Sequence, residues 1–396
     1  MKLLGDLGSL TYCLNIHPTQ SWEEARTALT GPVAAVKANL SPDAPFGAGL
    51  RFSAETMEEL ADAGKRTELA AILKGGDLDP LTMNGFPYGP FHGERVKEQV
   101  YLPDWRAKER VAYTTALADL LAEVNPEGAF ISLSTVPCAF RPNGAGAEAA
   151  MAANMIAAAA HMVKIERETG RHVTIAVEPE PCCFLETIEE TVAYFRDYLF
   201  SADAASQLAA LTGETPEAAA SLLPRHLGLC YDVCHAAVEY EDPAASIAML
   251  RDAGIPVHKL QLSSALRVAS GDAAARRALA RFNELTYLHQ LIARGADGAL
   301  TRYTDLGEAL GASGAKDGEE WRVHFHVPVF LETLPEFGTT QAFLKDILAI
   351  HRQSPVSPHL EVETYTWDVL PADLVAGSVE DAVTRELQWV MSELTK

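Results

Sequence analysis

The sequence predicts an α/β chain folded as a (β/α)8 TIM barrel, and three observations carry that expectation. Apolar or β-branched runs alternate with alanine- and glutamate-rich helical patterns from one end to the other. The runs number eight. Polar residues recur just after them, where a barrel concentrates its functional side chains.

Taken in order, the strand candidates are 10–16, 49–52, 81–84, 129–135, 173–178, 227–232, 257–262 and 359–363. Between them lie helical patterns at 21–29, 54–73, 105–124, 147–168, 187–199 and 244–253, with a final one at 379–394. Ser21-Trp-Glu-Glu and Ser53-Ala-Glu-Thr read as helix starts, a capping residue followed by early carboxylates. Two stretches exceed a minimal barrel repeat. Residues 201–225 read as a small helical insertion punctuated by Pro216 and Pro224. Residues 264–330 enlarge the connection between the seventh and eighth strands, with strand candidates at 285–292 and 321–329 and a glycine-rich turn over 311–318. A barrel of about 250 residues plus these insertions accounts for residues 1–396 as a single domain.

Composition narrows the class. At 48% hydrophobic and 22% charged the chain is globular in character, and its net charge of −22 disfavours nucleic acid or an anionic membrane as a partner. No window offers 18 uninterrupted apolar residues, Asn154 and His161 interrupt the alanine-rich helix, and the N-terminal segment lacks an apolar core. The expectation is a cytoplasmic protein without a membrane span. Six cysteines (Cys13, Cys138, Cys182, Cys183, Cys230, Cys234) are too sparse for a disulfide scaffold and lack paired zinc spacing, so burial is expected of them.

The fifth strand runs into Glu178-Pro-Glu180-Pro, the sixth into Asp232-Val-Cys-His235, and the seventh contains Gln261-Leu-Ser263-Ser264. The added segment contains His324-Phe-His326, and the eighth strand Glu361-Val-Glu363. Side chains at i and i+2 share a strand face, so Glu178 with Glu180, His324 with His326, and Glu361 with Glu363 project as pairs. Their apolar neighbours imply burial, and a buried unpaired carboxylate is costly unless a cation offsets it. Carboxylate oxygen with imidazole nitrogen suits Zn²⁺ or Mn²⁺, with Fe²⁺, Co²⁺ or Mg²⁺ as further candidates, better than Ca²⁺. The bland alternatives are a helix cap for Asp232 and His235, and a salt bridge for Glu361 or Glu180.

Earlier in the chain, Asn15-Ile-His17-Pro and Met83-Asn84-Gly-Phe86-Pro-Tyr88-Gly-Pro-Phe91-His92-Gly follow the first and third strands. The second loop reads as a preorganised aromatic wall beside the metal, suited to a sugar-like or cyclic polyol metabolite, or else as a structural lid. His17, Asn84, Phe86, Tyr88 and His92, with Glu180, His324 and Glu361, are therefore the substrate-binding candidates.

LTYCLNIHP, MNGFPYGPFHG, YLPDW, LSTVP, VEPEP, YDVCH, HFHVP and HLEVETYTW, in that order, resemble the EboE family of metabolite-traffic proteins. That family is similar to the xylose-isomerase-like barrels, which include sugar isomerases, epimerases and apurinic endonucleases. The resemblance implies metal ligands at Glu178, Asp232, His235 and Glu363, with Gln261 where a histidine is usual on the seventh strand and His326 or His324 as its substitute. It implies isomerase- or epimerase-type proton transfer with Glu178 and Glu363 as acid and base, and other proteins of the same pathway as partners. The alternatives are a non-catalytic metabolite carrier and, third, a phosphodiesterase or nuclease.

Overall fold

Parallel strands covered on both faces need nearly continuous apolar runs, and the chain supplies them. The computed structural model describes residues 1–92, 95–269, 273–312, 319–367, 370 and 377–396. Seven parallel strands come first: β1 (Ser9–Cys13), β2 (Phe46–Leu50), β3 (Leu78–Asn84), β4 (Phe130–Thr135), β5 (His172–Val177), β6 (Leu227–Asp232) and β7 (Val257–Leu262). The chain then lays down five short strands, β8 (Leu266–Ala269), β9 (Leu291–Arg294), β10 (Leu300–Tyr303), β11 (Glu320–Val323) and β12 (Gly338–Thr339), before β13 (His359–Val362). β13 pairs with both β7 and β1 and closes an eight-stranded barrel. The five inserted strands form a separate sheet in the order β10, β9, β11, β8, β12, with antiparallel pairings throughout. No helix among the described residues is long and apolar enough to cross a membrane.

Several expected boundaries move. The first strand stops at Cys13 and a short 3-10 turn, Leu14–Ile16, follows. The helical pattern at 54–73 breaks into Ala54–Glu59 and Ala63–Gly75, because Asp62 caps the second piece by accepting from the Lys65 amide at 3.0 Å. Residues 201–225 fold as two helices, Ala202–Thr212 and Pro216–His226, with Pro216 in the first turn, where its missing N–H costs nothing. Of the stretch 285–292 only its end is strand, and of 321–329 only its beginning, since the chain leaves the sheet after Val323. Most of the expected turn over 311–318 lies outside the described residues. The amphipathic helix Gln341–Gln353 was not expected, although it buries Phe343, Leu344, Ile347 and Leu348 on one face. All six cysteines are buried and unbridged.

Inside the barrel, Lys259 of β7 and Glu361 of β13 are fully buried and stand 2.6 Å apart as an ion pair, not an aligned hydrogen bond. Glu361 also accepts from the Thr11 hydroxyl at 3.0 Å. On the other side of β1, β2 must carry glycine, since a Cβ at Gly49 would sit 1.4 Å from the Glu361 carboxylate. Glu361 thus anchors the barrel interior, where sequence spacing had placed it in the substrate site beside Glu363. Removing one partner of such a pair strands a charge at a cost of about 3–5 kcal/mol, whereas replacing both with apolar groups is nearly neutral. Chemical denaturation of Lys259→Met is expected to show a loss of that size, with most of it recovered in Lys259→Met/Glu361→Leu.

Glu386, on the helix Val379–Leu394, accepts from the Thr364 hydroxyl at 2.6 Å and the Val329 amide at 3.0 Å. Burial pushes its carboxyl from 4.5 up to about 7. A carboxyl whose folded value is raised stabilises the fold below its unfolded value, and that contribution is lost as pH rises through the folded one. Over that window the loss amounts to roughly 3 kcal/mol. Denaturation midpoints measured between pH 4.5 and 8 are expected to fall less steeply in Glu386→Gln, which keeps an acceptor oxygen.

Candidate metal centre

The C-terminal ends of β5, β6 and β13 bring three carboxylates together, because successive parallel strands deliver their ends to one mouth of the barrel. One oxygen from each of Glu178, Asp232 and Glu363 lies within 4.8 Å of the others, and all three groups are buried. Glu363 is held by hydrogen-bond donors: its Oε1 accepts from Asn15 Nδ2 at 2.6 Å and Asn84 Nδ2 at 3.2 Å, and its Oε2 from Gln261 Nε2. Glu178 is not so served, and its Oε2 has no partner. Burial first, then the charges of Glu363 and Asp232, push the Glu178 carboxyl well above the usual carboxylate range.

Asp232 caps a helix with one oxygen and leaves the other free. Its Oδ1 accepts from the His235 amide at 3.1 Å, capping the helix Val233–Val238, and from the Ser263 hydroxyl at 2.7 Å. Its Oδ2 is buried and unpartnered, facing the cluster.

Three imidazoles complete the arrangement. His235 Nδ1 donates to the Pro179 carbonyl at 2.9 Å, His326 Nδ1 to the Glu363 carbonyl at 2.6 Å, and His324 Nδ1 to Gln290 Oε1 at 2.8 Å. The Gln290 amide is itself oriented, since its Nε2 donates to Glu180 Oε1 at 2.8 Å and the Pro181 carbonyl at 3.1 Å. Every Nδ1 therefore carries its ring's proton, and the neutral rings turn Nε2 lone pairs inward. His324 Nε2 stands 3.1 Å from His235 Nε2 and 3.2 Å from His326 Nε2. Burial, then the neighbouring imidazoles His235 and His326, push His324 well below its usual range. Burial likewise lowers His326. Lone pairs facing at these separations repel unless a cation lies among them. Nitrogens ligating one tetrahedral ion at about 2.0–2.1 Å stand about 3.3 Å apart, close to what is seen here. Asp232 belongs to this imidazole pole as well, clustering with His235 and His326. The orphaned oxygens, the inward lone pairs and the carbonyl-anchored Nδ1 protons all fit a divalent metal, and anchoring of that kind is what holds ligating histidines in place.

Above the donors opens a cleft with a volume of about 60 Å³. Glu178, Glu180, Glu363, His235, His324, Asn84 and Phe86 line it. Asp232, Gln261 and His326 lie at its floor, outside its lining. The remaining substrate-binding candidates are elsewhere: His17 is hydrogen-bonded to the Tyr12 hydroxyl, Tyr88 packs edge-on to Tyr113, and Glu361 pairs with Lys259. His92 buttresses the rim, linked through Nε2 to the Asn15 carbonyl at 2.6 Å and through Nδ1 to the Tyr287 hydroxyl at 2.7 Å. Gln290 and Tyr287 escaped sequence reasoning because the insertion that carries them has no barrel periodicity. Lys259 had a signal, a cation two residues before Gln261 on a strand whose remaining positions are otherwise Val, Leu and one His. Cys234, expected to be simply buried, also lies within ligand distance of His324 and His326.

Gln290 is the group that fixes the tautomer of His324. Supporting partners of this kind are worth 10–100-fold in metal affinity. Competition against a chromophoric chelator is expected to show a loss in that range for Gln290→Leu, with the fold intact by circular dichroism.

No family model matches the chain, and no curated protein matches it. Solved structures do. A xylose isomerase-like TIM barrel protein from Mycobacterium smegmatis, in complex with magnesium, aligns over 98% of this chain and 96% of its own at 9% identity, with a TM-score of 0.51. The IOLI protein with a bound zinc atom covers 97% of this chain and 98% of its own at 12% identity and a TM-score of 0.47. An L-ribulose 3-epimerase covers 98% and 95% at 10% identity and a TM-score of 0.45. With its closed parallel barrel and its likeness to the M. smegmatis protein, the chain has the xylose isomerase-like (β/α)8 TIM-barrel fold.

Proposed function

We propose that this protein is a divalent-metal-dependent enzyme of isomerase or epimerase type, acting on a small sugar-like or cyclic polyol metabolite as one domain of the EboE kind. The observation that carries the reading is the meeting of three inward Nε2 lone pairs with three buried carboxylates, a donor set that suits a divalent cation. The mixed nitrogen and oxygen donors favour Zn²⁺ or Mn²⁺; magnesium accompanies the similar M. smegmatis barrel.

When bound, the metal polarises a carbonyl and its neighbouring hydroxyl, acidifying the carbon between them. Glu178, with an unpartnered buried oxygen, removes that carbon's proton. In an isomerisation Glu178 returns the captured proton to the adjacent carbon; in an epimerisation Glu363 enters the step protonated, gives its proton to the opposite face, and leaves it as the carboxylate that Asn15, Asn84 and Gln261 hold. The aromatic side of the cleft excludes water that would otherwise protonate the carbanion at random.

Elemental analysis of the purified protein is expected to find stoichiometric metal, lost in Asp232→Ala/His235→Ala. Solvent-hydrogen exchange into α-hydroxycarbonyl compounds, followed by proton NMR in D₂O, is expected to fall 10²–10⁴-fold in Glu178→Gln, the usual worth of a general base. Metal-free protein, or a double variant that binds and exchanges like the parent, overturns the reading. Ligand binding with metal but without exchange in the parent protein identifies a carrier instead.

A further inference from the structure

The cleft has two kinds of lining. One is the donors. The other is an aromatic wall that starts against them, Tyr365 lying 4.5 Å from His326 between ring centroids: Phe91, Tyr287 and Tyr365 form a closed triangle with centroids 5.1–5.2 Å apart, and Phe86, Val100 and Leu288 continue the surface. Among the described residues lining the cleft, Lys97 is the only lysine or arginine. Its ammonium is committed, to Asp305 Oδ2 at 2.6 Å and the Glu284 carbonyl at 3.1 Å, and its side chain is 7% exposed.

A phosphoryl group brings a charge of roughly −1.5 to −2 and calls for guanidinium, ammonium or helix N-terminal amides. The cleft instead presents Glu178, Glu180 and Glu363. In the loops after the seventh and eighth barrel strands, where (β/α)8 barrels often hold phosphate, several of the described polar groups are already engaged, although Trp367 Nε1 is not. Ser263 donates to Asp232, the Ala265 amide to Thr340 Oγ1 at 2.8 Å, the Val327 amide to the Ser264 carbonyl at 2.9 Å, and the Thr364 hydroxyl to Glu386.

We infer that the substrate carries no phosphate and is an amphipathic compound: vicinal oxygen donors at one end seat on the metal ligands, and a cyclic or otherwise apolar body lies against the aromatic wall. The inference rests on the metal-dependent reading of the same site and adds the substrate's class to it.

The test uses zinc-loaded full-length protein and two hydroxamates that share a chelating head. Acetohydroxamate reports the metal end alone, and benzohydroxamate adds an apolar ring. By isothermal titration benzohydroxamate is expected to bind at least tenfold more tightly, with that ratio shrinking toward one in Phe91→Ala and in the nearly isosteric Val100→Thr. D-xylulose is expected to bind more tightly than D-xylulose 5-phosphate. Equal affinity for the two hydroxamates, or tighter binding of the phosphorylated sugar, overturns this inference while leaving the metal centre standing. Failure of acetohydroxamate itself to bind overturns the metal centre.

Discussion

Negative charge forced into a barrel mouth is the constraint on which this structure turns. Glu178, Asp232 and Glu363 converge because three parallel strands end there, and they are buried among largely apolar strands. Carboxylates in that position must be compensated. The compensation comes in layers: three amide donors on Glu363, the Ser263 hydroxyl and a backbone amide on Asp232, and the Lys259–Glu361 pair below. What those layers leave over is the Oε2 of Glu178, the Oδ2 of Asp232 and the Oε1 of Gln261. These oxygens lie where a metal would satisfy them.

The insertion between β7 and β13 is the other half of the site. A barrel alone supplies the carboxylates and His235. The inserted segment contributes His324, His326 and Gln290, together with Tyr287 on the cleft wall. It is tied to the barrel by charge: Arg302 of β10 contacts Glu239 at 2.6 Å and Glu186 at 3.0 Å, while Arg322 of β11 donates to the Ala237 carbonyl at 2.6 Å. Because the histidines are anchored through their Nδ1 atoms to carbonyl oxygens on both the barrel and the insertion, displacement of the inserted segment would dismantle the imidazole pole before the carboxylate pole.

This division of labour explains why some residues carry structural and chemical roles at once. Asp232 uses one oxygen as a helix cap and leaves the other unpartnered, so its capping pattern does not argue against the proposed donor role. Glu180 likewise accepts from the Tyr101 hydroxyl at 2.7 Å and from Gln290, orienting the amide that orients His324. Such residues are poor targets for reading function from a single deletion, since stability and metal affinity move together.

The barrel and most of the candidate donors are legible in the order of the residues. Alternating apolar runs dictate parallel strands, and Glu178, Asp232, His235, His326 and Glu363 stand at their ends or beside them in the chain. Period-two spacing failed where it was extended past the strand. His324 and His326 meet in an irregular segment after β11, and Glu361 turns into the lumen one layer below Glu363, where Lys259 neutralises it. Only the tertiary structure decided which nitrogen of each histidine faces inward, because that depends on carbonyl oxygens from distant residues. It alone decided, too, that the single lysine of the cleft is already paired, because Asp305 reaches Lys97 from 208 positions along the chain. Local patterning reports which face a side chain takes; whether its charge or lone pair is left free depends on partners that only folding brings near.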